Sequence, residues 1–403
     1  MEKTNVFPIK INSIEKQVFI SNINYNIIQF IKNIDARYFS HCCSDIRNWC
    51  MQKNVLQYIL KSQYTLEFIS SDILRQKFSA IGIKIEYCLT INISDLQVFL
   101  LKSEHKLNIH TVNVNYCKTL TNVSPLSNVH TLDLSHCYNI TDVSPLGNVH
   151  TLNLSDCSKI IDVSALGNVH TLDLSHCSQI IDVSSLGNVH TLDLSDCSKI
   201  IDVSALGNVH TLDLSFCSNI VDVSSLGNVH TLDLSNSNII DVSKLGNVHT
   251  LYLSYCYNII AVSDLSNVNT LNLSGWKNIP EDIYALSHIY NLNLSWWPII
   301  NVSFLGNIHI LNLSYCKNIT DVSALGNIHT LYLCGCIAIT NVDNLSMVHT
   351  LNLSECQSIT DVSALSIVSN LNLSCCQGIT NVSMLSNVSK LNLYSCRNIA
   401  VEI

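Results

Sequence analysis

Two columns of side chains able to bind metals or move protons run along most of this chain. Cysteine stands at Cys117, Cys137, Cys157, Cys177, Cys197, Cys217, Cys256, Cys316, Cys336, Cys356, Cys376 and Cys396. Histidine stands at His110, His130, His150, His170, His190, His210, His230, His249, His309, His329 and His349. A third, shorter column holds Asp133, Asp173, Asp193, Asp213 and Asp233. Zinc needs ligands that converge into a closed tetrahedron, and a straight row of one residue type does not converge. The histidines are therefore expected to bond neighbouring backbone at an edge. The cysteines read as small buried residues whose backbone and S–H groups satisfy a turn. Calcium-binding solenoids carry Gly- and Asp-rich loops, so the Asp row reads as a solvated face. No Gly-rich phosphate loop, nucleophile elbow or catalytic triad is visible. The sequence thus predicts no metal, no cofactor and no enzymatic activity.

The columns exist because one unit of about 20 residues is repeated. Val169-His170-Thr171-Leu172-Asp173-Leu174-Ser175-His176-Cys177-Ser178-Gln179-Ile180-Ile181-Asp182-Val183-Ser184-Ser185-Leu186-Gly187-Asn188 is one copy. Val112-Asn113-Val114 opens a series of fifteen, and Leu391-Asn392-Leu393 closes it. Leu-x-x-Leu-x-Leu-x-x-Cys is the leucine-rich-repeat (LRR) signature. Leu172 and Leu174 alternate with polar residues, so a short strand points them inward. Ile180, Val183 and Leu186 lie three apart, which suits a tight 3₁₀ turn behind the strand. One such unit cannot bury its apolar row; only stacking does. The expected fold is an α/β leucine-rich-repeat solenoid, with a parallel β-sheet on its concave face and a short 3₁₀ or turn back. A small helical domain precedes it.

Composition narrows the class. The chain has 403 residues, 47% of them hydrophobic and 13% charged, which predicts an ordered, core-rich protein. No run of 18 apolar residues exists, so no membrane span is expected. Residues 1–110 hold 13 Lys/Arg and 9 Asp/Glu, net +4, and the remainder holds 8 and 21, net −13, which together make the −9 of the whole chain. An acidic solenoid disfavours nucleic acid as partner. No cleavable apolar leader follows Met1. Asn-x-Ser sequons such as Asn153-Leu154-Ser155 recur on neighbouring strands, and glycans about 5 Å apart would clash. Both observations predict a cytoplasmic location, and the Cys column together with the missing leader disfavours a secreted or surface adhesin.

Residues 1–110 are of another kind. Ile27, Ile28, Ile31 and Ile34 sit at helical spacing. Phe39, Cys42, Cys43, Ile46, Trp49 and Cys50 form the face of a second helix, which Asp35 can cap. Helical patterning continues through 64–80. Leu89-Thr90-Ile91-Asn92-Ile93 alternates as a first, degenerate strand. The expected organisation is a helical domain over 1–60, a helical linker and cap over 61–110, and the solenoid over 111–403.

The run Ile27-Ile28-Gln29-Phe30-Ile31-Lys32-Asn33-Ile34-Asp35, then Phe39, then Cys42-Cys43-Ser44-Asp45-Ile46-Arg47-Asn48-Trp49, resembles an F-box. Cys137-Tyr138-Asn139-Ile140-Thr141-Asp142 and its counterparts at 316–321 and 356–361 are similar to the cysteine-containing repeats of F-box/LRR proteins. The near-identical repeats and the Asn/Ile-rich composition also resemble LRR families of giant viruses. The resemblance implies a non-enzymatic substrate-recognition adaptor of a cullin-type (SCF) ubiquitin ligase, working in host cytoplasm if the chain is viral. Ile28, Ile31, Phe39 and Ile46 would then bind a Skp-family adaptor, while the repeats hold an unknown substrate protein. The alternative is an LRR protein–protein interaction scaffold with no ubiquitin-ligase role, in which the N-terminal helices only cap the repeats.

Variation against the constant background marks the expected partner site. The residue just before the Cys column should project from the concave rim. It reads Tyr116, His136, Asp156, His176, Asp196, Phe216, Asn236, Tyr255, Gly275, Trp296, Tyr315, Gly335, Glu355, Cys375 and Ser395. The 20-residue step changes to 19 or 21 between 232 and 311, where three of the four Trp lie. Tyr252, Tyr255, Trp296, Tyr315 and Phe216 are the candidate partner-binding residues. Trp276 and Trp297 take the place of the Cys column there and read as fillers of extra volume.

Overall fold

The computed structural model describes residues 88–90 and 111–399, so the F-box-like segment, with Ile28, Ile31, Phe39 and Ile46, lies outside the described residues. The chain divides into two compact units, Met1–Val114 with Asn128–Leu132, and Asn115–Ser127 with Asp133–Ile403. In the first unit the strand Cys88–Thr90 pairs in parallel with Thr111–Asn113. It overlaps the degenerate strand expected at 89–93.

The second unit is the solenoid. From Thr151–Asn153 to Lys390–Asn392, thirteen three-residue strands follow one another in sequence order, each parallel to the next. Their register is strict: Thr171, Leu172 and Asp173 face Thr191, Leu192 and Asp193. This is an LRR solenoid, with a 3₁₀ turn between successive strands, as in Thr171–Asp173 followed by Ser184–Asn188, in every coil but the one from Thr231–Asp233 to Thr250–Tyr252, which turns without one.

Interior coils bury the same seven positions. Val169, Leu172, Leu174, Cys177, Ile180, Val183 and Leu186 are all no more than 1% exposed. Full burial of one such aliphatic side chain stabilises by about 1.5–3 kcal/mol, and every coil relies on its neighbours for it.

The changes in repeat length are absorbed at one corner. Register holds across them, with Leu232 opposite Leu251 and Leu271 opposite Leu292. In ordinary coils two residues separate the Cys column from the next buried Ile, as in Cys177-Ser178-Gln179-Ile180. The two 19-residue repeats have one residue there, in Ser237-Asn238-Ile239 and Trp297-Pro298-Ile299. The 21-residue repeat has three, Lys277, Asn278 and Ile279, before the buried Pro280. Strands tolerate no slip because one step reverses every side chain; a corner loop does.

Candidate functional site

The column before the cysteines is where the backbone turns, and it does so in a left-handed conformation throughout. Among the described residues all thirteen with positive φ other than glycine belong to it, with φ between 57° and 67°. Gly275 (78°) and Gly335 (68°) fill the remaining two places. From Tyr116 to Cys375 the N–H of each column residue continues the sheet ladder, as Trp296 N donating to Ser314 O at 2.9 Å and Phe216 N to Ser235 O at 2.9 Å. The turn therefore cannot relax without breaking a rung. Asp156, Asp196, Asn236 and the two glycines suit this conformation, and none of the fifteen residues is β-branched. The expected variable rim is thus also a left-handed column, which the absence of β-branched residues marks in the sequence.

On this column the structure assembles an aromatic surface. Trp296 stacks on Tyr315 with centroids 4.3 Å apart and planes at 15°. A Cβ placed on Gly275 would come within 2.3 Å of Tyr255 Cε1, and one on Gly335 within 2.5 Å of Tyr315 Cδ1. So each Tyr ring lies flat over the glycine of the following coil. Tyr255, Gly275, Trp296, Tyr315 and Gly335 make one row spanning four coil steps, about 19 Å at the strand spacing. Trp296 is 52% exposed and Tyr255 41%. Hydrogen bonding and charge interaction with the Cys334 thiol, then burial, then Glu355, push the pKa of the Tyr315 hydroxyl up to about 12.

The other expected residues fare differently. Tyr252 is half-buried in its strand, opposite Asp233 and Asn272. Phe216 is exposed at 56%, but Asn236 stands between it and Tyr255 in the column, so it is outside the row. Sequence reasoning missed Tyr332, a strand residue between Asn312 and Asn352. It also missed Tyr257, which meets Tyr255 edge-on at 6.3 Å and carries Lys277 Nζ 4.7 Å over its ring. The signal for Tyr332 was its place, shared with Tyr252, in a column otherwise filled by Asp or Asn.

The cysteine column forms hydrogen bonds between coils. From Cys157 onward each thiol of the column donates to a leucine carbonyl of the coil before, as Cys177 Sγ to Leu154 O at 3.2 Å and Cys356 Sγ to Leu333 O at 3.1 Å. Trp276 and Trp297 are buried at 2% and 1% and act as the same donors. Trp276 Nε1 donates to Leu253 O at 2.7 Å, and Trp297 Nε1 donates to Leu273 O. The indole thus replaces the S–H as well as filling volume. Burial pushes the thiols of Cys157, Cys217, Cys316 and Cys356 up to about 12, so they are inert as nucleophiles. With native protein and iodoacetamide, peptide mass spectrometry should show Cys334 and Cys375 alkylated well before Cys157–Cys217. Both are partly exposed. Equal labelling, or several ladder disulfides under non-reducing conditions, would contradict the buried, reduced ladder.

The histidine column is a stack. His150, His170, His190, His210, His230 and His249 lie ring on ring at 4.6–4.7 Å. Their Nδ1 atoms are hydrogen bonded to the hydroxyl of the next threonine, as His190 to Thr191 at 3.2 Å, rather than to backbone as expected. Among the described residues no group of three His, Cys, Asp or Glu side chains is placed to hold a metal. Desolvation, then the neighbouring imidazoles, lowers the pKa of His170 and His210 below its ordinary value of 6.5. The unfolded chain therefore takes up these protons first, and stability is full above pH 6.5 and falls as pH drops through the window below it. Burial acts with the opposite sign at Asp213 and Asp233, whose pKa values are raised. The histidine part is isolated by His170→Asn/His210→Asn, the residue this column already uses at Asn269. The wild-type melting temperature should fall between pH 7.5 and 5.5, and the double variant should fall less. Identical profiles would count against the effect.

The Asp column is not a solvated face. Asp173 and Asp193 are half-buried, and each carboxylate accepts the N–H of the serine two residues on, at 3.0 and 2.9 Å. Asn takes over this role in the C-terminal coils, as Asn352 for Ser354 at 3.0 Å.

The repeat geometry defines an LRR protein. No protein-family model and no curated protein sequence matches the chain. Solved LRR structures do. An internalin of Listeria monocytogenes is 20% identical, over 73% of this chain and 92% of that one, with a TM-score of 0.49. The functional domain of InlJ from the same organism, described as including a cysteine ladder, is 19% identical over 68% of this chain and 65% of that one, TM-score 0.46. An LRR protein of Leptospira interrogans is 17% identical over 84% and 94%, TM-score 0.49.

Proposed function

We propose that this protein is a non-enzymatic protein-recognition scaffold whose partner docks on the Tyr255–Trp296–Tyr315 row. One observation carries this reading. The column takes Gly at 275 and 335 and Asn at 236, yet it places Trp and Tyr at neighbouring left-handed positions. A bulky residue there costs about 1–2 kcal/mol relative to the right-handed region, and such strain concentrates at functional sites. Exposed Trp and Tyr are also the residues that dominate protein interfaces.

Within that reading, the chain is the substrate-recognition arm of a cullin-type ubiquitin ligase in the cytoplasm. The support is the F-box resemblance of residues 27–49, with Ile28, Ile31, Phe39 and Ile46 toward a Skp-family adaptor. The test is affinity purification of the full-length chain from cells. A Skp-family adaptor should co-purify, and deletion of residues 1–60 should abolish its recovery while the repeats stay folded by circular dichroism. Adaptor recovery that survives the deletion, or no adaptor at all, leaves the scaffold reading without a ligase role.

A further inference from the structure

A second surface lies away from the aromatic row, four or five residues further along each coil. Ile161, Ile181, Ile201, Val221, Ile240 and Ile260 occupy one position in six successive coils and are 57–77% exposed. Single exposed apolar side chains are ordinary, but an unbroken row of six is an apolar patch of the kind that marks an interface. The row has defined ends. Thr141 precedes it, Glu281 interrupts it before Ile300, and Thr320, Thr340, Thr360 and Thr380 follow.

A second column runs beside it. Asp162, Asp182, Asp202, Asp222 and Asp241 flank the first five of these residues, and each accepts the N–H of the serine two positions on, at 2.8–2.9 Å. These backbone and side-chain hydrogen bonds from serine keep the carboxyls below their ordinary range, so the column is fully anionic at neutral pH. Of the nearby cations, Lys159 and Lys199 donate to Asn139 Oδ1 and Gln179 Oε1 of the preceding coils. Lys244 interacts with Asp241. Between coils the two columns line a shallow groove formed by Ile181, Asp182, Ser184, Ile201, Asp202 and Ser204.

We propose that this face binds a basic amphipathic α-helix of a partner protein, its apolar stripe on the isoleucine row and its Lys or Arg residues against the aspartates. The spacing selects a helix. The row steps by about 4.8 Å per coil. Same-face residues of a helix step by about 5.4 Å per turn, whereas those of a strand step by about 6.6 Å. Five steps make about 24 Å, the length of about sixteen helical residues. The charge excludes an anionic lipid surface as the first choice, since the aspartates would face phosphates of the same sign.

The chain itself supplies substitutions that keep the fold. Thr already occupies the apolar column at 141, 320, 340, 360 and 380, and Asn occupies the Asp column at 122, 301, 341 and 381. Two triple variants of the full-length protein follow: Ile181→Thr/Ile201→Thr/Ile240→Thr and Asp182→Asn/Asp202→Asn/Asp222→Asn. The probe is a fluorescein-labelled helical peptide of about eighteen residues, with leucines on one face and lysines flanking them. Fluorescence anisotropy should show it binding the wild type at least tenfold more tightly than a scrambled peptide of the same composition. Each triple variant should lose at least tenfold, and the Asp→Asn variant should also lose the salt dependence. Binding equal to the scrambled peptide, or undiminished in either variant, overturns the proposal. So does flotation of the wild type with neutral phosphatidylcholine vesicles at peptide concentrations that give no anisotropy change, which would assign the row to a membrane surface.

Discussion

Trp297→Ala should lower the stability of the solenoid by about 3–5 kcal/mol, the cost of removing a large aromatic side chain from a packed core. Three losses add up at this position. The side chain is 1% exposed, so its removal leaves a cavity. It packs against Trp276 with centroids 5.6 Å apart and planes at 17°, and such pairs are worth about 0.5–1.5 kcal/mol beyond their buried area. Its Nε1 donates to Leu273 O, and Ala leaves that carbonyl without this donor, a cost of about 1–3 kcal/mol. Neighbouring coils can close part of the cavity, which keeps the total below the plain sum. Trp297→Cys should fall between, because the thiol restores the donor used in most other coils but not the volume. Urea unfolding followed by far-UV circular dichroism measures both. A Trp297→Ala variant within about 1 kcal/mol of wild type would mean that the indole carries little of the core, against the general cost of such deletions.

The adjacent residue should behave in the opposite way. Trp296→Gly should reduce capture of the partner protein by roughly thirtyfold or more, the loss expected for a hot spot worth about 2 kcal/mol. Stability should change by no more than about 1 kcal/mol. Glycine relieves about 1–2 kcal/mol of left-handed strain, and loss of the stack on Tyr315 takes back about 0.5–1.5 kcal/mol. A second variant separates contact from positioning. Gly275→Ala puts a methyl where the Tyr255 ring lies, so it should weaken capture without touching Trp296. Quantitative affinity capture, normalised to folded protein, gives the readout. If Trp296→Gly destabilises as much as Trp297→Ala and capture per folded molecule is unchanged, Trp296 belongs to the core and the partner site lies elsewhere.

These two tryptophans show how far the sequence alone reaches. Their assignment to different columns followed from the repeat: Trp297 stands in the Cys column and Trp296 one place before it. Spacing also determined the inward leucines, the 3₁₀ back and the stacking of coils, because a short-range period forces the same burial in every copy. It also marked Tyr255, Trp296 and Tyr315 as rim residues. What spacing could not carry was anything set by contact between coils. The thiol and indole donations to the leucine carbonyls of the coil before connect residues more than twenty positions apart. Their direction depends on how one coil sits on the next. The burial of the Asp column, the imidazole stack bonded to threonine, and the Tyr rings folded over Gly275 and Gly335 are of the same kind. A sequence of this type determines the coil by local periodicity. The tertiary structure decides the surface, because each surface column is made of residues from many coils and its chemistry arises only when they are brought side by side.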